Sequence, residues 1–250
     1  CDRRQRQMCI RDRMSNFTLV WHFLIFGVLP YVVIAVLVVG SLLRFILAPY
    51  SWKSQSSEIL DKKDLFWGAN LFHIGVIFLF CGHCFGLFTP IAWLNAVGLT
   101  PRLHQWMEII AGGASAALAI AGLLLLTWRR LSNERVRTAS RPSDFWVLFL
   151  LLAVIILGIC CVVNSYFTDR SGATIILFGE WVRGLFTFDY EAWQKILLVP
   201  DWQKWHIFVG LIIFLIVPFT RLVHIWSGYL SVFYLVRPHQ IMRANGKPMK

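Results

Sequence analysis

The chain has 250 residues, of which 58% are hydrophobic and 15% charged, with a mean hydropathy of +0.64 and a formal net charge of +11. A water-soluble domain carries about 25% charged residues, so the composition excludes an ordinary soluble domain and describes an integral membrane protein. In such a protein a basic balance belongs to loops on one side of the membrane, not to a nucleic-acid surface, so no nucleic-acid partner is expected.

The first thirteen residues, CDRRQRQMCIRDR, are polar and Arg-rich and lack the apolar stretch of a signal peptide. They read as a non-native extension ahead of a start at Met14. The expected organisation is therefore this extension over 1–13, a membrane domain over 14–236 and a cytoplasmic tail over 237–250. Five apolar segments follow, at 19–47, 66–94, 105–128, 145–167 and 205–232. Each is long enough to cross a bilayer as a helix, which takes about 20 residues. The fold class expected is all-α integral membrane, with five transmembrane helices forming a bundle. Pro90 should end or kink the second segment. No ten-residue alternation supports a barrel.

Lys and Arg cluster in the loop after the first segment (Arg44, Lys53, Lys62, Lys63), in the loop after the third (Arg129, Arg130, Arg135, Arg137, Arg141) and in the tail (Arg237, Arg243, Lys247, Lys250). The opposite loops hold only Arg102, Arg170, Arg183, Lys195 and Lys204. The positive-inside rule then places the C-terminus in the cytoplasm and the native N-terminus outside. The loop at 168–204 is the largest external element, and its TFDYEAW stretch is a candidate interfacial helix.

Histidine carries the chemistry. His73 and His83 lie in the second segment, and His206 and His224 in the fifth. Ionisable side chains at membrane depth are costly and mark function. The two segments run in opposite directions, so pairing is crossed: His73 with His224 towards the cytoplasm, His83 with His206 towards the outside. On a continuous helix, 18 residues make five turns and about 27 Å, which puts His206 and His224 on one face. The His73–His83 separation is only about 15 Å, so the expectation requires tilted or curved helices. A tetrahedral zinc site needs four gathered ligands. A six-coordinate haem iron takes one imidazole from each face, which suits two opposed pairs. Two bis-His b-type haems are therefore expected. Arg221, one turn from His224, is a candidate partner for a haem propionate. The run Ala111-Gly112-Gly113-Ala114-Ser115 either gives a macrocycle room or packs helices closely.

Cys81-Gly82-His83-Cys84 has the spacing of a redox dithiol, yet it lies in an apolar span outside any βαβ pattern. Its order is not Cys-x-x-Cys-His, so covalent haem attachment is not indicated. His83 is the residue that matters there, and Cys81, Cys84, Cys160 and Cys161 read as packing.

The strings NLFHIG (70–75), GHCFGLFTP (82–90), AGGAS (111–115) and PFTRLVHIWS (218–227) resemble the gamma subunit of respiratory nitrate reductase. That family is a five-span di-haem cytochrome b anchor in bacterial or archaeal cytoplasmic membranes. The resemblance implies that quinol, menaquinol or ubiquinol, is oxidised near the outer haem. Electrons then reach an iron–sulfur beta subunit and a molybdenum alpha subunit on the cytoplasmic face. Upstream of AGGAS the family can carry a lysine implicated in quinol binding, and His104 stands there in this chain. His104, with Gly82 and Gly86 beside His83, is the expected quinol site, at the depth where a head group meets water. The other readings are a related subunit of a sulfite- or heterodisulfide-reducing complex, the reverse reaction of nitrite oxidation, and a haem-free anchor or proton relay.

Overall fold

The computed structural model describes residues 15–48, 51, 63–169 and 171–226. The 1–13 extension, most of the first basic loop and the tail after Arg237 lie outside the described residues. Among the described residues there is helix and no strand. The long helices are α1 (Asn16–Leu47), α2 (Lys63–Phe88), α3 (Pro101–Ser132) and α4 (Pro142–Thr168). A shorter helix α5 (Ala173–Phe186) and a 3-10 turn (Ala192–Leu198) precede α6 (Asp201–Ile216). Five helices are long and apolar enough to cross a membrane, α6 counting through Phe219. Their outer surfaces are apolar, with Phe17, Trp67, Phe78, Trp128 and Trp146 all more than half exposed, as a bilayer requires.

Successive spans alternate in direction. One end of the bundle gathers Arg44, Arg130, Arg141 and Arg221 and is called the basic end here. The other, the far end, holds the start of α1, the end of α2 and all of α5. As Pro90 foretold, α2 stops at Phe88, and a short helix (Ile91–Ala96) leads to α3. The centre of the bundle is the α2–α3 contact. A Cβ on Gly75 would strike the backbone of Ser115 and Ala119, and one on Gly122 would strike that of Phe72 and Gly68. Small residues thus bring two backbones together, the usual basis of helix association in lipid. Ala119 and Leu123 are fully buried there and pack towards Ile155 of α4.

The far end has its own core, which the TFDYEAW expectation misplaces. The helix forms upstream of that stretch, as α5, and Leu177, Trp181, Val182 and Leu185 pack on Phe26 of α1 and Ile196 of the 3-10 turn. Pro30 has no N–H to offer the carbonyl one turn back, and Trp181 Nε1 donates to that carbonyl, Phe26 O, at 2.9 Å. Asp169 starts α5: its carboxylate accepts from the backbone N–H groups of Ser171, Gly172 and Thr174 at 2.9–3.0 Å. Burial alone raises the Asp169 pKa, but the hydrogen bonds from Thr174 and Ser171 outweigh it and hold the carboxyl below its ordinary value.

The fifth segment is not one continuous helix. Pro218 stops α6, two 3-10 turns follow (Val217–Phe219 and Arg221–Val223), and Thr220 between them is extended, with φ −119° and ψ −178°. The expected single face from His206 to His224 is therefore replaced by a break. That break reconciles the unequal histidine spacings, which tilted or curved helices were expected to absorb. α1 supports it. Gly40 makes room for the Pro218 ring, which lies 3.0 Å from where a Cβ would sit. Arg44 Nη1 donates to Pro218 O and Thr220 O, both at 2.7 Å.

Candidate functional site

Four histidines come together in two pairs. The ring centres of His73 and His224 are 6.1 Å apart, with planes at 73°. Those of His83 and His206 are 6.0 Å apart, with planes at 26°. Crossed pairing is thus the arrangement the chain adopts.

Each imidazole is also oriented. Nδ1 donates to the carbonyl of Ala69 in His73, of Leu79 in His83, of Val154 in His206 and of Arg221 in His224, at 2.7–3.0 Å. A carbonyl can only accept, so Nδ1 holds the hydrogen and the lone pair falls on Nε2. This is the tautomer of a metal-ligating histidine with an outer hydrogen bond. Gly158 of α4 makes space for one ring, since a Cβ there would lie 3.1 Å from His206 Cε1.

The arrangement fits a metal centre with two axial imidazoles. Metal–nitrogen bonds of about 2 Å on both sides put two such ring centres roughly 6 Å apart. A zinc site does not fit: among the described residues no three His, Cys, Asp or Glu side chains gather closely enough to hold a metal ion. Nothing lies within 4 Å of a Cβ built on Gly112 or Gly113, nor on Gly82, whereas the Ser115 carbonyl faces Gly75 in the helix contact. Cys81, Cys84, Cys160 and Cys161 are free thiols.

At the basic end, Arg221 Nε lies 3.0 Å from Asp144 Oδ1, and Arg130 Nη1 lies 3.0 Å from Asp144 Oδ2. The nearly buried Asp144 thus joins α3, α4 and the segment that carries His224.

At the far end, His104 is not at the water surface. It is 2% exposed, with its edge against Phe85 and its Nδ1 lacking a hydrogen-bond partner. Gly86 does face it: a Cβ on Gly86 would lie 3.5 Å from His104 Nε2 and 3.2 Å from Glu108 Oε1. Glu108 is the residue that sequence reasoning passed over. The available signal was a carboxyl seven residues inside an apolar helix.

A family model described as nitrate reductase gamma subunit matches residues 22–245. The chain is 37% identical over 220 residues to the respiratory nitrate reductase 1 gamma chain of Escherichia coli, covering 88% of this chain and 96% of that one. It is 34% identical over 221 residues to the nitrate reductase gamma chain of Bacillus subtilis, covering 88% and 97%. With a family model spanning most of its length and relatives of this identity, the chain belongs to the nitrate reductase gamma subunit family.

Proposed function

We propose that this chain is the membrane cytochrome b subunit of a respiratory nitrate reductase. It holds two b-type haems, oxidises menaquinol or ubiquinol near the far end of the bundle, and serves an iron–sulfur beta subunit and a molybdenum alpha subunit docked at the basic end. One observation carries the reading: two imidazole pairs with ring centres about 6 Å apart, every Nδ1 tied to a carbonyl. The gamma-chain names of the relatives support the soluble partners, since a gamma chain belongs to an assembly of several subunits.

His73 and His224 hold the haem nearer the basic end, and His83 and His206 hold the other. A bis-imidazole haem supplies reversible one-electron transfer, at a potential set by ligand hydrogen bonds and burial. The carbonyls of Ala69, Leu79, Val154 and Arg221 keep the four rings in the ligating tautomer. Gly82, Gly112 and Gly113 leave the adjoining helix surfaces free of side chains, as a flat macrocycle requires. Arg221 carries positive charge beside His224 for a propionate, with Asp144 steadying its guanidinium.

The positive-inside rule puts the basic end in the cytoplasm. His104, Gly82 and Gly86 then belong to the outer side, where they form the quinol site. Carrying two electrons inward from there works against the membrane potential and stores about 4.6 kcal/mol per 100 mV.

The test is the visible spectrum of the purified complex and of a His206→Ala variant. A reduced b-type band is expected in the parent, with the variant losing only the His83-side haem. Absence of any b-type band in the parent would favour the haem-free anchor or proton relay. Equal loss of both haems in a folded variant would reject the pairing.

A further inference from the structure

Among the described residues, Glu108 is the one carboxyl more than a turn inside any of the five spans. Seven residues from the start of α3, it lies about 10 Å along the axis from the far end. His83 lies about 8 Å from the same end of α2, so the two are at similar depth. A carboxyl at membrane depth is expensive and needs a use.

The local backbone is also unusual. Glu108–Gly112 is a π-helical segment inserted between α-helical stretches of α3. Such wide turns recur at functional sites, because they turn a side chain away from its α-helical direction. Here Glu108 Oε1 and His104 Nε2 both come over Gly86, at 3.2 Å and 3.5 Å from the position of a Cβ. His104 is almost fully buried, and its Nδ1 has no hydrogen-bond partner. Beside it is a small cavity lined by Gly86, Thr89, His104, Ile175, Gly179 and Arg183.

We propose that Glu108 is the base that takes the proton from the quinol hydroxyl, and that His104 hands this proton through the adjacent cavity towards the far end. The inference rests on the quinol reading above and adds to it the residue that receives the proton. The quinol O–H bond would break, the proton would go to a carboxylate oxygen of Glu108, and the electron would pass to the one-electron acceptor that His83 and His206 would hold. Two such events convert one quinol into one quinone. His104 itself lines that cavity, so the cavity is the space through which its proton would leave.

The experiment uses the assembled complex in detergent with menadiol as the reductant. Infrared difference spectra recorded as menadiol is added should contain the band of a protonated carboxyl, shifted in heavy water. That band should vanish in Glu108→Gln. The rate at which menadiol reduces the b-type absorption should fall about 100-fold in this variant, the scale of lost general-base help. Haem content and reduction by dithionite should stay unchanged. Glu108→Asp should recover part of the rate and restore a carboxyl band. An unchanged rate and an unchanged band in Glu108→Gln would overturn the role of Glu108 while leaving the quinol reading standing. Failure of menadiol to reduce the parent complex, with dithionite still effective, would instead overturn the quinol reading itself.

Discussion

Gly158 sits where the His206 ring needs room. Its α4 neighbour Val154 accepts the ring's Nδ1 hydrogen at 3.0 Å, so α4 aims a histidine that belongs to α6. In Gly158→Ala the new methyl would meet His206 Cε1 at 3.1 Å, and the ring must give by a few tenths of an ångström. The expected result is a shifted potential or altered spin state of the His83–His206 haem, with the other haem unchanged. Redox titration of the two b-type components checks this. Identical titrations would show that the ring moves freely and that α4 does not aim it. At this scale the four paired histidines were legible in the sequence, because an imidazole in an apolar run stands out. Gly158 was not, and Glu108 was legible only as a carboxyl inside an apolar run. Glu108 gains meaning only when the π segment carries it over Gly86, and Gly158 only when α4 packs on α6.

The break after α6 is the decisive element. Proline foretells an interruption, yet the apolar run through 205–232 hides it, and only packing shows how the freed carbonyls are satisfied. Arg44 accepts that task from α1, donating to Pro218 O and Thr220 O. Each such charge-assisted bond contributes about 1.5–3 kcal/mol. In Arg44→Ala the segment carrying His224 loses both, so the His73–His224 haem should be depleted or become high-spin while the other stays intact. Separate quantification of the two haems checks this, and equal occupancy in variant and parent would remove Arg44 from the account. α5 was hidden for a different reason: at 14 residues it is too short to span, and its core partners come from α1 and the 3-10 turn. Its start depends on Asp169. Because the folded carboxyl titrates below its ordinary value of about 3.9, its charge contributes stability at higher pH. That contribution is lost as pH falls through the folded pKa. Asp169→Asn keeps an oxygen acceptor but no charge, so the variant should lose less thermal stability than the parent between about pH 5 and pH 3. Parallel slopes of melting temperature against pH would show that the charge is not coupled to folding.

Across the whole molecule, the number of spans followed from hydropathy alone, because lipid demands long apolar helices and little else. The contacts between those helices did not, since lipid-facing and helix-facing residues are equally apolar and only small residues such as Gly75, Ala119 and Gly122 mark the interface. The two halves of the bundle divide the work. The far end holds α5, His104 and Glu108, the residues of the proposed quinol site. The basic end, with Asp144 clamped between Arg130 and Arg221, is the face proposed to meet the partner subunits.

The central claim is that His73 pairs with His224 and His83 with His206, each pair on its own haem. Haem per polypeptide in a His73→Ala/His224→Ala double variant tests it most directly. Both substitutions fall on one proposed pair, so the double variant should retain one low-spin b-type haem, like either single variant. A folded double variant with no haem at all would mean that the two histidines belong to different centres, and the crossed pairing would be contradicted.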